Sequence, residues 1–302
     1  MVQYNIDFYK DLNIDDLTLN DNVIDVIKQL TNMYGEIIQS TKPVSKPQQS
    51  DANWKRRAQF ITTKLDKPEG IECYISSIRT CLNKLSEKTY DNHIVTITDN
   101  INNIINVNDS PECINSNLTL VANSMFDIVS NNKFYSKIYA NLYKDVSCKY
   151  PFFVKITDAI VDKYIESVSS IVIINPNDDY DKFCDMNREN DKRKSLITFI
   201  INLVKNDTLN IKSIVHIYNH LDKYITSNID IQDNILINDE IVENIFILIS
   251  DSIDILHKMD IFKDIKMNIN LFSTYKPKEH LGFSSRVKFK YMDMVSLIKK
   301  CN

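Results

Sequence analysis

Glycine is almost missing from this sequence. Only Gly35, Gly70 and Gly282 occur among 302 residues, where average usage would give roughly twenty. The closest two are 35 positions apart. Dinucleotide fingerprints and Walker loops need clustered glycines where the backbone approaches phosphate, so both are excluded. Sandwiches and propellers depend on many glycine-bearing turns. The chain must use long elements with few left-handed backbone positions, which favours helices.

The apolar pattern agrees. Isoleucine is abundant, at 45 residues, and β-branched residues favour strands. Yet apolar positions recur every three to four residues over stretches too long for strands. Ile241, Ile245, Leu248, Ser252 and Ile255 trace one such face. Spacing predicts helices over 71–84, 89–106, 116–130, 134–149, 151–174, 190–206, 208–226, 234–257 and 284–300, with a weaker one over 259–271. Two links, 175–185 and 272–283, are long; the others are short and polar.

Ahead of this body, residues 21–39 form another helix. Val23, Val26, Ile27, Leu30, Met33 and Ile37 are in helical register, with Asn20 or Asp21 as the cap. Residues 40–53 contain Pro43 and Pro47 and no periodicity, the mark of a linker. The expected organisation is an acidic N-terminal helix plus linker over 1–53 and an all-α body over 54–302. Ten or so helices with short links suggest an α-solenoid or an irregular bundle. No strict period is visible, and degenerate helical repeats of about 40–47 residues would not need one.

The formal charge is −4, from 36 bases and 40 acids, unevenly spread. Residues 1–30 and 230–260 are acidic, while 54–67 and 276–300 are basic. Such local basic surface suits an RNA backbone or an acidic protein partner. The longest apolar run, Ile245 to Ile249, is far short of the ~20 residues that span a bilayer. The acidic start predicts no signal peptide. Six dispersed cysteines without a C-x-x-C pair are expected to be reduced and mostly buried.

Little in the sequence suggests catalysis. His216 and His220 sit at i,i+4, but the residues between them are Ile-Tyr-Asn, without the glutamate of H-E-x-x-H. No G-x-S-x-G elbow occurs. The acid pairs Asp15-Asp16, Asp178-Asp179 and Asp239-Glu240 read as helix caps or loop residues. The expectation is a non-enzyme without metal or cofactor. The single tryptophan, Trp54, precedes Lys55-Arg56-Arg57 directly after the linker. It either pins the linker to the body or anchors a partner, a role in which Trp and Arg excel. Lys192-Arg193-Lys194 would open a helix, where three bases oppose the macrodipole. In the segment from Ser284, either Ser284 or Ser285 caps, and Val287, Tyr291, Met294, Val295 and Ile298 face inward. Arg286, Lys288 and Lys290 face outward, and Phe289 falls off the apolar stripe.

These segments resemble the middle domain of eukaryotic translation initiation factor 4-gamma, an α-solenoid of five HEAT helix pairs. Ile78 to Tyr90 (IRTCLNKLSEKTY) is similar to that family's opening helix and its Asn-Lys-Leu-Ser/Thr turn. Phe126 to Lys144 resembles its helix–turn–helix with a Tyr-Ala-Asn centre. Lys192 to Leu209 is similar to its basic entry into a Phe-Ile-containing helix, and Ser284 to Lys299 to its closing helix. Asn53 to Arg57 resembles the Trp-Lys segment before the domain. Order and spacing agree across residues 53–300. The compact, AT-biased form suggests a minimal version from a large DNA virus or an AT-rich protist.

The resemblance implies a HEAT-like α–α solenoid of about five pairs, acting in the cytoplasm as a translation-initiation scaffold. The partner it implies is a DEAD-box helicase of the initiation factor 4A type, contacted by Trp54, Asn83, Lys84, Phe199, Arg286 and Phe289. It also implies RNA contact through basic surface, here Lys55, Arg56, Arg57, Lys192, Arg193, Lys194, Lys288 and Lys290. The family further recruits a cap-binding protein through Tyr-x-x-x-x-Leu-φ. No tyrosine here has Leu at the fifth following position, Tyr9 with Ile14-Asp15 coming nearest. Such a contact would use another mode through residues 1–39. The alternatives are a same-fold scaffold in splicing, mRNA decay or nuclear cap binding, direct RNA binding without a protein partner, and a helical interaction protein with no helicase partner.

Overall fold

The computed structural model describes residues 20–40, 70–106 and 110–301. The chain divides into two units, Met1–Leu65 and Asp66–Asn302. In the first, α1 spans Asp21–Ser40. Asn20 caps it, its side-chain oxygen accepting the Asn22 amide at 3.1 Å.

The second unit contains eleven described α-helices and no described strand. They are α2 (Ile71–Asn83), α3 (Tyr90–Ile105), α4 (Pro111–Ser130), α5 (Ser136–Lys149), α6 (Phe152–Asp158), α7 (Ile160–Ser169), α8 (Tyr180–Lys205), α9 (Lys212–Asn228), α10 (Ile235–Leu256), α11 (Phe262–Thr274) and α12 (Ser285–Lys300). Consecutive helices pack as pairs: α2 with α3, α4 with α5, α7 with α8, α9 with α10, and α11 with α12, with α6 prefixed to α7. Second members also pack on one another, α5 on α8, α8 on α10, and α10 on α12. First members do so along α2, α4 and α6, and again from α7 to α9. The unit is therefore an all-α helical solenoid of five stacked pairs.

Apolar periodicity drives the stacking. On α10, Ile241, Ile245, Leu248 and Ser252 are buried as their spacing requires, and Ile255 is half-buried. Polar side chains, two of them in buried bonds, bridge the pairs where apolar contact alone would leave donors unmet. The Tyr139 hydroxyl donates to the Leu82 carbonyl at 3.0 Å. Tyr150 Oη donates to Asn102 Oδ1 at 2.7 Å, and Tyr164 Oη to Asn244 Oδ1 at 3.1 Å. Asn268 Nδ2 donates to Asp222 Oδ2 at 3.1 Å, tying α11 to α9.

Three expectations change. The helix expected over 151–174 breaks at Ala159 into α6 and α7 and ends at Ser169, and the chain runs without helix past Pro176 to Asp179. The residue before a proline avoids helical geometry. The expected loop 175–185 instead turns helical at Tyr180. Asp179 Oδ1 caps it by accepting the Lys182 amide at 3.0 Å, and this hydrogen bonding holds the Asp179 carboxyl below its ordinary pKa. The cysteines are not mostly buried. Cys81 alone is; Cys184 is half-buried, and Cys73, Cys113, Cys148 and Cys301 are exposed.

The scarce glycines take positions with physical reasons. Gly70 has φ +62°, in the left-handed region that favours glycine. The other described positive φ belongs to Asp207, at +64°. It ends α8 in a Schellman-type turn in which the Thr208 amide donates to the Leu203 carbonyl at 2.8 Å. Gly282 is a close-approach site: a Cβ there would lie 2.6 Å from the Asn228 carbonyl oxygen and 2.7 Å from that of Ile231. Its amide donates to the Ile229 carbonyl at 2.8 Å, locking the loop before α12 onto the end of α9. Gly282→Ala should therefore destabilise by about 1–3 kcal/mol, the usual range for overpacking, read as a lowered midpoint in urea with unchanged m.

Candidate functional site

Of the residues expected to touch a partner or RNA, Trp54, Lys55, Arg56 and Arg57 lie outside the described residues. The others fall on three helices. Asn83 ends α2 and Lys84 caps it, both exposed. The Lys84 carbonyl accepts from Thr89 Oγ1 at 2.9 Å, which fixes the short turn into α3. On α12, Ser284 is the cap, its Oγ accepting the Val287 amide at 3.0 Å. Val287, Tyr291, Met294 and Ile298 are buried and Val295 partly so. Phe289 is therefore turned outward, 62% exposed.

The basic face of α12 is largely paired. Lys290 Nζ lies 3.0 Å from Glu243 on α10 and 4.2 Å from the centre of the Phe246 ring. Arg286 is more exposed and lies 3.5 Å from the same glutamate. Lys288 is half-buried, with no ion pair among the described residues. The basic segment of α8 does not open a helix at all. It lies in the middle of a 26-residue one, so the macrodipole argument does not apply to it. Lys192 is exposed and paired with Glu189 at 2.6 Å. Lys194 reaches Glu240 on α10 at 3.1 Å.

Two expected contact residues are corrected. Phe199 is fully buried, its ring edge-on to Tyr143 with centroids 6.0 Å apart. It belongs to the α5–α8 interface and cannot meet a partner. The same packing pushes the Tyr143 phenol up to about 12 by burial. Arg193 is also buried. Its Nη2 donates to Asn190 Oδ1 at 2.8 Å, and its Nε has no partner. Burial lowers its pKa, opposed by the nearby Glu240. An arginine so placed is a structural group between α8 and α10, not an RNA contact.

Sequence reasoning missed other exposed surface. Phe134, in the turn between α4 and α5, is 95% exposed, and Tyr135 beside it is about half exposed. Spacing places both inside a helix over 134–149, where Tyr135 is in register with Tyr139, Leu142 and Val146; the helix instead begins at Ser136. His216 and His220 do not gain a third ligand, since no group of three or more His, Cys, Asp or Glu converges among the described residues. His220 has a lowered pKa, mainly from burial and then from His216 and Lys223. Among those residues, no helix is long and apolar enough to cross a membrane.

No known family model matches the chain, and no characterised protein matches its sequence. The fold and these surfaces define an all-α helical solenoid with exposed basic residues on its first and last pairs and exposed aromatics on its second and last.

Two measurements separate structural from surface groups. Phe199→Ala should cost about 3–5 kcal/mol, as expected for emptying a buried ring site, whereas Phe289→Ala should stay within about 0.5 kcal/mol; denaturant titrations compare them. Asp222, half-buried between α9 and α11, supplies a pH test. Burial raises its carboxyl pKa above the ordinary 3.8, against the hydrogen bonds from Tyr218 and Asn268. The folded chain thus holds this proton more tightly than the unfolded one. The resulting stability is fully present below 3.8 and is lost as the pH rises through the folded-state value. Asp222→Asn keeps an acceptor for Tyr218 but cannot ionise. Thermal melts from acid to neutral pH should show the wild type losing stability relative to this variant as pH rises.

Proposed function

We propose that this chain is a translation-initiation scaffold that binds and activates a DEAD-box helicase of the factor 4A type and contacts RNA. One observation carries the reading. The segments that resemble the middle domain of initiation factor 4-gamma fall, in order, on α2, α4–α5, α8 and α12 of five stacked helix pairs. The pair number is the one that the HEAT-type resemblance implies.

The accessible candidates then sort themselves. Asn83 and Lys84 lie on the first pair, Arg286 and Phe289 on the last, so two lobes of a helicase would be held at separate stations. A scaffold of this kind does no chemistry. It favours one lobe arrangement by binding it better, and so shifts the helicase's conformational equilibrium. Among the described RNA candidates, Lys288 has no ion pair and Lys192 is exposed with only Glu189 of its own helix as a partner, whereas Arg193 is buried and Lys194 and Lys290 face acids of α10. The reading carries a cytoplasmic location with it.

The test is a calorimetric titration of the full chain with a purified factor 4A-type helicase, followed by RNA-dependent ATPase assays. Saturable binding and stimulated ATP turnover are expected. The double variant Arg286→Ala/Phe289→Ala should weaken binding by about tenfold, equivalent to ~1.4 kcal/mol. Absence of both binding and stimulation would overturn the helicase assignment, and capture of splicing or decay factors from cells would redirect it within the same fold.

A further inference from the structure

A hollow of about 370 Å³ lies beside the first half of α8, between the connection that follows α7 and the opening turns of α10 and α12. Its size is at the small end of ligand pockets, about 300–1,000 Å³. Its walls are largely apolar, with Ile174, Pro176, Phe183, Met186 and Leu236 among them. Leu236 is exposed, as is Tyr180, whose ring centre is 6.4 Å from that of Phe183. The site thus offers an apolar sleeve open to solvent.

The polar groups of the hollow are unevenly matched. Asp239 and Glu240 both line it, with Arg286 as the one cation in its wall. The Arg286 guanidinium is engaged by Glu243 at 3.5 Å, and Lys290 by the same carboxylate at 3.0 Å. Asp239 accepts a hydrogen bond from Ser284 Oγ and has no ion pair among the described residues. Burial raises its pKa despite that hydrogen bond and the nearby Arg286. Glu240 is 8% exposed and is paired with Lys194, whose Nζ stands 3.1 Å from its Oε1. Asp239 is thus the carboxylate of the hollow left without an ion pair, and a half-buried charge gains from a cation that can also hydrogen-bond to it.

We infer that this hollow is a docking pocket for one arginine side chain presented by a protein partner. The aliphatic stem lies against Phe183, Met186 and Leu236, and the guanidinium is shared by Asp239 and Glu240. Arginine suits the place better than lysine. Its planar fork can serve two acceptors at once, and its charge is more weakly hydrated, so less is lost on leaving water. The partner segment is therefore basic at one position with apolar neighbours that cover the exposed Leu236 and Tyr180. The assignment does not depend on the helicase reading, since any partner with such a segment satisfies it.

The test is selection from a peptide library by the full chain. The central position is fixed in turn as Arg, Lys, citrulline, Leu or Glu, and the flanks are randomised. Wild type should retain the arginine pool about tenfold over the citrulline pool, which keeps the shape and removes the charge. Asp239→Asn should abolish that preference. Because Asp239 also holds the cap of α12, the exposed rim variant Leu236→Asn is run beside it, with circular dichroism to confirm folding. It should lower retention of the arginine pool without touching the cap. Equal retention of the Arg and citrulline pools by wild type would overturn the inference, as would an arginine preference that both variants leave intact.

Discussion

The stack of second helices, α5 on α8 on α10 on α12, is the contact on which the rest of the solenoid unit rests. Each helix pair alone would leave an apolar face in water, and stacking removes it. The junction of α8 and α10 shows how tightly this is specified. Ile197, Ile200 and Ile201 of α8 and Ile241, Ile245 and Leu248 of α10 are buried. Between them the chain also buries Arg193, Asn190, Asn244 and Glu240. Such polar groups are tolerated in a core only when they find partners. Most do: Asn190 takes Arg193, and Tyr164 on α7 reaches Asn244. The polar set thereby fixes which faces of α7, α8 and α10 can meet.

The same stacking decides which charges are available to partners. Basic segments of α8 and α12 flank the acidic start of α10. Glu240 draws in Lys194, and Glu243 draws in both Arg286 and Lys290. In a sequence with a net charge of −4, the bases of α8 and α12 thus form a surface on which only some remain free. Half-buried pairs of this kind are screened less by salt than exposed ones. They organise the helix stack more than they advertise a binding site.

Much of the fold was legible because helical periodicity is a local property. The inward face of α12, a serine cap at 284 or 285 and the outward turn of Phe289 follow from the spacing of residues in one stretch of chain, and the structure decides for Ser284. Less of the site was legible. The cluster Lys192-Arg193-Lys194 reads as one basic patch, yet successive residues on a helix point about 100° apart. The neighbouring helices decide that Lys192 faces water, Lys194 an acid and Arg193 the core. Phe199 resembles a contact position, but the packing of α5 encloses it. The start of α8 was hidden because residues 185–192 are polar except for Met186, a stretch that cuts Tyr180 and Phe183 off from the apolar stripe that begins at Leu196. The Asp179 cap was the available sign.

The sequence by itself determined the class of structure. With three glycines and apolar residues every three to four positions, long helices joined by short polar links were the available outcome, since the backbone had few places to turn left-handed. What only tertiary structure decided was exposure. Pairing and stacking set which cations are neutralised, which aromatics are covered, and where the hollow beside α8 forms. They do so because burial depends on neighbours distant in sequence. Gly282 joins the two levels: its lack of a side chain is written in the sequence, but the carbonyls of Asn228, Ile229 and Ile231 that require it arrive only when α9 and the loop before α12 meet.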